Sequence, residues 1–170
     1  MNWYVIQVRS SHEREIADKC RTMISQDILR ECFIPKYVSK KKYNGQWKEV
    51  KEVLFKGYVF LMSDCIEELY IELKKVPDLT KMIGKKKDII YPLTKGETEF
   101  LKTFTNDKHI VDMSTGFIEG QMVHITDGPL QGKEGLITKI DRHKRIAYLN
   151  LNIFNNDITA KVGLEIISKI

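Results

Sequence analysis

Chemistry starts from nucleophiles, bases and metal ligands, and this sequence spaces few of them usefully. Cys20, Cys32 and Cys65 are odd in number and widely separated, with no CxxC pair and no histidine at zinc-finger spacing. Reduced, mostly buried thiols are expected. A catalytic Ser or Cys needs a base within hydrogen-bond reach, often at a strained, glycine-bracketed turn, and no such turn is found. His12, His109, His124 and His143 are far apart in sequence and read as surface or half-buried side chains. Gly132-Lys133 is followed by Glu134 and by no helical pattern, so it is not a phosphate-cradling P-loop. The expectation is a protein without catalytic residues, metal or cofactor.

Binding chemistry is better represented. The 170 residues carry 28 Lys and Arg against 23 Asp and Glu, a formal net charge of +5. Position matters more than the total. Lys36, Lys40, Lys41, Lys42, Lys48, Lys51 and Lys56 crowd one segment, Lys81, Lys85, Lys86 and Lys87 a second, and Arg142-His143-Lys144-Arg145 a third. Such clusters can track a phosphate backbone or can simply be solvated faces.

The elements that must position these cations follow from periodicity. Residues 3–8 read as a buried strand, and Ser10 with Glu13 as a capping box opening a helix with the stripe Ile16, Cys20, Met23, Ile24. From Cys32 an extended stretch runs through Tyr37, Val38 and Tyr43 to Asn44-Gly45, a strong hairpin signal, and Trp47 and Val50 lie on the returning strand. Residues 54–62 read as a central strand broken at Lys56-Gly57. Asp64 and Glu67 start a second helix carrying Ile66, Leu69, Tyr70, Leu73 and Val76, which Pro77 stops. Short extended pieces follow at 81–83 and 88–91, and Thr94 with Glu97 caps a third helix with Phe100, Leu101 and Phe104.

Beyond residue 105 the pattern changes. Residues 106–116 have weak periodicity and read as a linker. Residues 117–170 show short alternating strands at 122–125, 136–140, 145–151, 157–162 and 165–170, the pattern of a small antiparallel barrel. Within it DGPLQGKEG, residues 127–135, is read as a tight connection between two strands, with Gly128 and Gly135 available for positive φ and Pro129 presetting the turn. The longest apolar runs are strand-length and too short to cross a bilayer. A cytoplasmic protein with no membrane role is expected.

The run Glu119-Gly120-Gln121-Met122-Val123-His124-Ile125-Thr126-Asp127-Gly128-Pro129-Leu130, continuing through Gly132, Gly135, Leu136 and Ile140-Asp141, resembles a KOW motif. Upstream, Trp3-Tyr4-Val5-Ile6-Gln7, Leu54-Phe55-Lys56-Gly57-Tyr58-Val59-Phe60, Val76-Pro77 and Ile83-Gly84 resemble the N-terminal domain of NusG-type transcription elongation factors. Together they cover nearly the whole chain. Lys56 departs from the family's Pro-Gly-Tyr segment.

The resemblance implies an α+β fold: an N-terminal NGN α/β domain over 1–105, a linker over 106–116, and a small all-β SH3-like KOW barrel over 117–170. It implies a monomer that binds the clamp helices of RNA polymerase through an exposed apolar patch of Tyr4, Phe55 and Tyr58, with Trp3 beside or beneath them. The basic turn makes the chain most like the LoaP branch of specialised antiterminators, which is implied to bind an RNA hairpin in a leader transcript. Lys133, Lys139, Arg142, His143, Lys144 and Arg145 would then meet RNA phosphates, and Asn150, Asn152, Asn155 and Asn156 would supply hydrogen bonds. Lys40, Lys41, Lys42 and Lys48 on the hairpin arms are candidates for upstream or non-template DNA, beside the plainer reading of a solvated tip. Two rival functions stay open: a general elongation factor whose barrel binds a ribosomal protein or termination factor, and a ribosome-associated RNA-binding structural protein.

Overall fold

The computed structural model describes residues 1–77 and 90–170. The extended piece at 81–83, half of that at 88–91, the Ile83-Gly84 motif and the lysines between 81 and 87 lie outside the described residues. Two compact units are present: Met1–Ile34 with Phe55–Thr98, and Pro35–Leu54 with Glu99–Ile170.

In the first unit, β1 (Asn2–Gln7), β2 (Glu31–Phe33), β5 (Tyr58–Ser63) and β6 (Tyr91–Pro92) form a sheet in the order β2-β5-β1-β6, with antiparallel pairing throughout. Successive strand side chains point to opposite faces. One face therefore carries Tyr4, Ile6, Cys32, Val59 and Leu61, which are buried in a cluster with Ile16, Ala17 and Cys20 of α1 (Glu13–Met23) and Leu69 and Leu73 of α2 (Ile66–Lys74). Each such aliphatic contributes roughly 1.5–3 kcal/mol by leaving water. The other face carries an aromatic row: Trp3 meets Phe33 edge-on at 5.2 Å, Phe33 stacks on Phe60 at 5.4 Å, and Phe60 lies 5.9 Å from Phe55.

The helix starts depart in part from the sequence pattern. α1 begins after His12 with no side-chain cap, and Ser10 does not form the expected box with Glu13. Glu13 is 5% exposed, and its carboxylate accepts from the backbone N–H of Ser11 at 3.0 and 3.1 Å and from that of Gly57 at 2.9 Å. The acid is committed to holding the turn before β5 as well as its own helix end. α2 begins after Cys65 rather than at Asp64, because Ser63 Oγ accepts from Cys65 N–H at 3.0 Å and turns the chain there. The third helix, α3 (Lys95–Phe104), has the expected reciprocal box: Thr94 N–H donates to Glu97 Oε1 at 2.8 Å and Glu97 N–H to Thr94 Oγ1 at 3.1 Å.

Two strand expectations are also corrected. The stretch from Cys32 is not continuous: β2 pairs with β5, whereas β3 (Lys36–Tyr43) pairs with β4 (Gln46–Val53), and the break falls at Ile34-Pro35, where proline lacks an N–H. The strand expected from residue 54 begins only at Tyr58. Gly57 at φ +86 precedes it, its carbonyl accepting from Val8 N–H at 2.7 Å, and a Cβ there would lie 3.0 Å from Val8 O.

In the second unit, β3 and β4 are joined by the expected Asn44-Gly45 turn, with φ of 51° and 80°. β7 (Ile110–Val111) runs parallel to β3. A five-stranded sheet follows, β8 (Ser114–Glu119), β9 (Met122–Asp127), β10 (Ile137–Asp141), β11 (Ile146–Ile153) and β12 (Asn156–Lys169), in the order β10-β11-β12-β8-β9. Its buried side chains include Ile125, Leu149, Leu151, Val162 and Leu164. Residues 110–111 and 114–116 of the segment read as a linker are strand, and the two C-terminal strands read from the sequence are one 14-residue strand, β12. The fold is α+β, with helices and a sheet in the N-terminal part and a β-rich C-terminal part. No described helix is long and apolar enough to cross a membrane.

Candidate nucleic-acid interface

The glycine-rich segment does not close a hairpin, since β9 and β10 sit at opposite ends of the strand order. It is a longer connection anchored at one end. Gly128 takes φ +102, and a Cβ on it would lie 2.6 Å from Ser114 Cα and 2.7 Å from Met113 O. Next to it Leu130, fully buried, donates its N–H to Ser114 Oγ at 3.0 Å. The second left-handed glycine is Gly132 at φ +79, not Gly135, which sits in a 3-10 turn over Glu134–Leu136. That turn feeds β10.

The basic turn between β10 and β11 is shaped by Asp141, whose Oδ1 accepts from Lys144 N–H at 3.0 Å. This hydrogen bond is the main cause holding the Asp141 carboxyl below its usual range, with the Lys144 and His143 charges adding to it. Arg142, His143 and Lys144 are exposed. Arg145 is not available in the same way. Its guanidinium lies 3.9 Å from the centroid of Trp47, and Nη1 is 3.5 Å from Glu165 Oε1. Expected with its neighbours to meet RNA phosphates, Arg145 thus differs from them in being engaged by an indole and a carboxylate of the chain itself.

Beside the turn, strand register assembles a row that the sequence reading held only in part. Lys139 of β10 and Lys161 of β12 both pair with Tyr148 of β11. Both ammonium groups lie 5.5 Å from the Tyr148 ring centroid. Asn150 and Asn152 are exposed and follow Tyr148 at strand period, so they share its face, with Asn150 opposite Thr159 and Asn152 opposite Asp157. Asn155 and Asn156 are exposed at the β11–β12 turn, where Phe154 and Asn155 take φ of 56° and 58°. Lys133 is half-buried before the 3-10 turn, which separates it from Lys139. Tyr148 and Lys161 were missed, although the alternation Tyr148-Leu149-Asn150-Leu151-Asn152 already places Tyr148 with the asparagines.

On the β3–β4 hairpin the expected cations divide. Lys40 Nζ lies 3.4 Å from Glu165 Oε2, and Lys41 is ion-paired with Glu52. Glu52 also accepts from Tyr37 Oη at 2.7 Å. These two donors, Lys41 first, hold its carboxyl below the usual range. Burial, reinforced by Glu52, pushes the Tyr37 phenol up. Lys42 and Lys48 are exposed, as are the rings of Tyr43 and Trp47 near the tip.

The expected polymerase patch is not exposed. Trp3, Tyr4, Phe55 and Tyr58 are 5%, 6%, 1% and 7% exposed. Tyr4 belongs to the helix-side cluster, and Trp3 and Phe55 belong to the aromatic row on the opposite face. Strand alternation thus splits residues that sequence motifs had grouped. Cys20 and Cys32 are buried free thiols and Cys65 is a half-buried one. Among the described residues no three His, Cys, Asp or Glu side chains converge as a metal site.

Comparison with known proteins adds the family context. Residues 1–102 match the family model described as "Transcription termination factor nusG". The chain is 27% identical over 173 residues to the transcription termination/antitermination protein NusG of Streptococcus pyogenes serotype M3, covering 99% of this chain and 96% of that protein. It is 24% identical over 172 residues to the protein of the same name from Campylobacter jejuni, covering 99% and 97%. A solved structure concerning domain interaction in Thermotoga maritima NusG aligns over 95% of this chain and 93% of that one, at 20% identity and a TM-score of 0.47.

Proposed function

The chain belongs to the NusG family of transcription termination factors, and from that premise we propose that it is a processive antitermination and elongation factor recruited by structured RNA. In this reading the NGN domain, residues 1–105, binds the clamp helices of RNA polymerase, and the KOW domain, residues 117–170, binds a hairpin in the nascent leader transcript. The supporting observation is the exposed basic turn of Arg142, His143 and Lys144, set on the same sheet as Lys139, Lys161 and the outward asparagines. Phosphates would meet the cations, and unpaired bases the asparagines. This is the behaviour of a LoaP-like member of the family.

Polymerase binding is assigned to the first unit, where Trp3, Tyr4, Phe55 and Tyr58, all buried, would support the two faces of the sheet from within and not touch polymerase themselves. Its effect would come from tighter binding to the elongating state of polymerase than to paused states. Lys42 and Lys48, both exposed, would be the hairpin cations that approach upstream or non-template DNA.

A second reading rests on a different observation. Met122, Ile167 and Ile170 are 65%, 66% and 77% exposed, apolar side chains of the kind that a barrel binding a ribosomal protein or a termination factor would use. The two readings separate in one experiment. The full chain is titrated with leader RNA hairpins and matched DNA at several salt concentrations, and reconstituted transcription is run across a terminator with and without the leader. Leader-dependent readthrough with hairpin-selective binding supports RNA recruitment. Leader-independent pausing effects without hairpin binding support the second reading.

A further inference from the structure

We infer that Tyr148 is the stacking site for a single unpaired nucleotide, with Lys139 and Lys161 holding the phosphates on either side of it. The inference rests on the proposed RNA recruitment and names the feature of RNA that the surface reads. Three observations carry it.

The first is the row itself. Lys139, Tyr148 and Lys161 are register partners on three adjacent strands, so their Cβ atoms stand about 5 Å apart in line across the sheet. The ring is half-buried, and the backbone beneath it is tied by the hydrogen bond from Thr138 Oγ1 to Tyr148 O at 3.2 Å. A half-buried aromatic ring has few rotamers to lose and stacks a base at low entropic cost. At 5.5 Å the two ammonium groups contact the ring loosely, and their flexible stems let them move to phosphate oxygens as a base arrives.

The second is charge. Two acids near the row are already engaged. Asp141 accepts from Lys144 N–H, and Glu52, whose carboxylate feels the Lys161 charge, is held by Lys41 and Tyr37. Asp157 lies opposite Asn152, four residues along β12 from Lys161. The end of the face nearest the basic turn is therefore cationic, and the far end is polar. A strand of nucleic acid running from Arg142 and Lys144 across Lys139 and Lys161 would pass its bases over Tyr148.

The third is the polar neighbour. Asn150 is exposed one strand period beyond Tyr148 and opposite Thr159. An amide donates and accepts at once, so it can read a base edge that a lysine cannot. Bases within A-form RNA are stacked and hidden in the helix, so only an unpaired nucleotide can meet both the ring and the amide.

The test uses the full chain and two RNA probes: a blunt duplex, and the same duplex carrying one unpaired 2-aminopurine. The parent should bind the second more tightly and quench its fluorescence, as stacking on an aromatic ring requires. Tyr148→Leu should lose the quenching and roughly tenfold in affinity for the bulged probe, in line with one base–aromatic stack, with less than a twofold change for the blunt duplex. Tyr148→Phe should retain both, which distinguishes stacking from a structural role of the hydroxyl. If Tyr148→Leu quenches and binds like the parent, or weakens both probes alike while Tyr148→Phe does the same, the stacking site is wrong although RNA recruitment stands. If the parent binds neither probe, RNA recruitment itself fails and takes the stacking site with it.

Discussion

Arg145 shows how little a residue type says until its neighbours are known. In sequence it completes a run of four basic residues, yet its guanidinium lies on Trp47 and beside Glu165. Replacing Arg142 and Lys144 by alanine should therefore lower affinity for every RNA and reduce the salt slope by roughly 0.7–0.9 per lost phosphate contact. Arg145→Ala should instead cost about 1 kcal/mol of stability, the scale of a partly exposed cation–π contact. Anisotropy titrations at several salt concentrations, set beside urea unfolding, separate the two effects. Glu13 is the converse case, an acid buried because backbone donors surround it. Glu13→Ala leaves the Gly57 N–H without its acceptor and should destabilise the chain by about 1–3 kcal/mol in the same unfolding assay.

At the scale of elements, hairpins and connections depend on a few backbone positions. Gly128→Ala should be among the more damaging single-methyl substitutions. It forces a side chain into φ +102 and drives a Cβ against Ser114 and Met113 backbone atoms. A loss of roughly 1–3 kcal/mol is expected from overpacking alone, read as a lowered thermal midpoint. Gly132→Ala, with nothing within 4 Å of its Cβ, should cost less. The β3–β4 hairpin carries a pH signature of its own. Glu52 has its folded pKa lowered by Lys41 and Tyr37, so its contribution is complete above the ordinary carboxylate value and is lost as pH falls through the lowered one. Tyr37 is raised, so its contribution is complete below the ordinary phenol value of about 10 and is lost as pH rises beyond it. Thermal melts of Glu52→Gln and the parent should differ at neutral pH and converge in acid. A gap that stays constant as pH falls through the carboxylate range would assign the effect to packing.

For the molecule as a whole, the proposed work is binding, and its energies come from surfaces supplied by two units. Phe55→Ala removes a ring that is 1% exposed and packed 5.9 Å from Phe60. It should cost about 3–5 kcal/mol of stability, well beyond the loss expected of a surface anchor. Polymerase affinity must therefore be measured on the fraction that remains folded. A variant that stays folded and binds polymerase as the parent does would remove Phe55 from the proposed contact. Leader-dependent readthrough by the full chain, lost in Arg142→Ala/Lys144→Ala but kept in Lys42→Ala/Lys48→Ala, would assign recruitment to the basic turn and not to the hairpin.

Local pattern was enough for what depends on neighbours in sequence. The Asn44-Gly45 turn, the Thr94–Glu97 box, the strand character beyond residue 117 and the family motifs of the N-terminal part are all encoded within a few residues. Such features are fixed by backbone stereochemistry and by hydrogen bonds spanning three or four positions. What only the tertiary structure decided were pairings between distant residues. Strand alternation sent Trp3 and Tyr4, neighbours on β1, to opposite faces of the same sheet. Long-range packing gave Arg145 to Trp47 and Lys40 to Glu165, and gave Glu13 to Gly57. Register set Lys139 and Lys161 on either side of Tyr148. A sequence states which side chains are cations and aromatics, but whether a cation faces solvent, a carboxylate or a ring depends on which strands become neighbours, and that follows from the burial of the whole apolar surface at once.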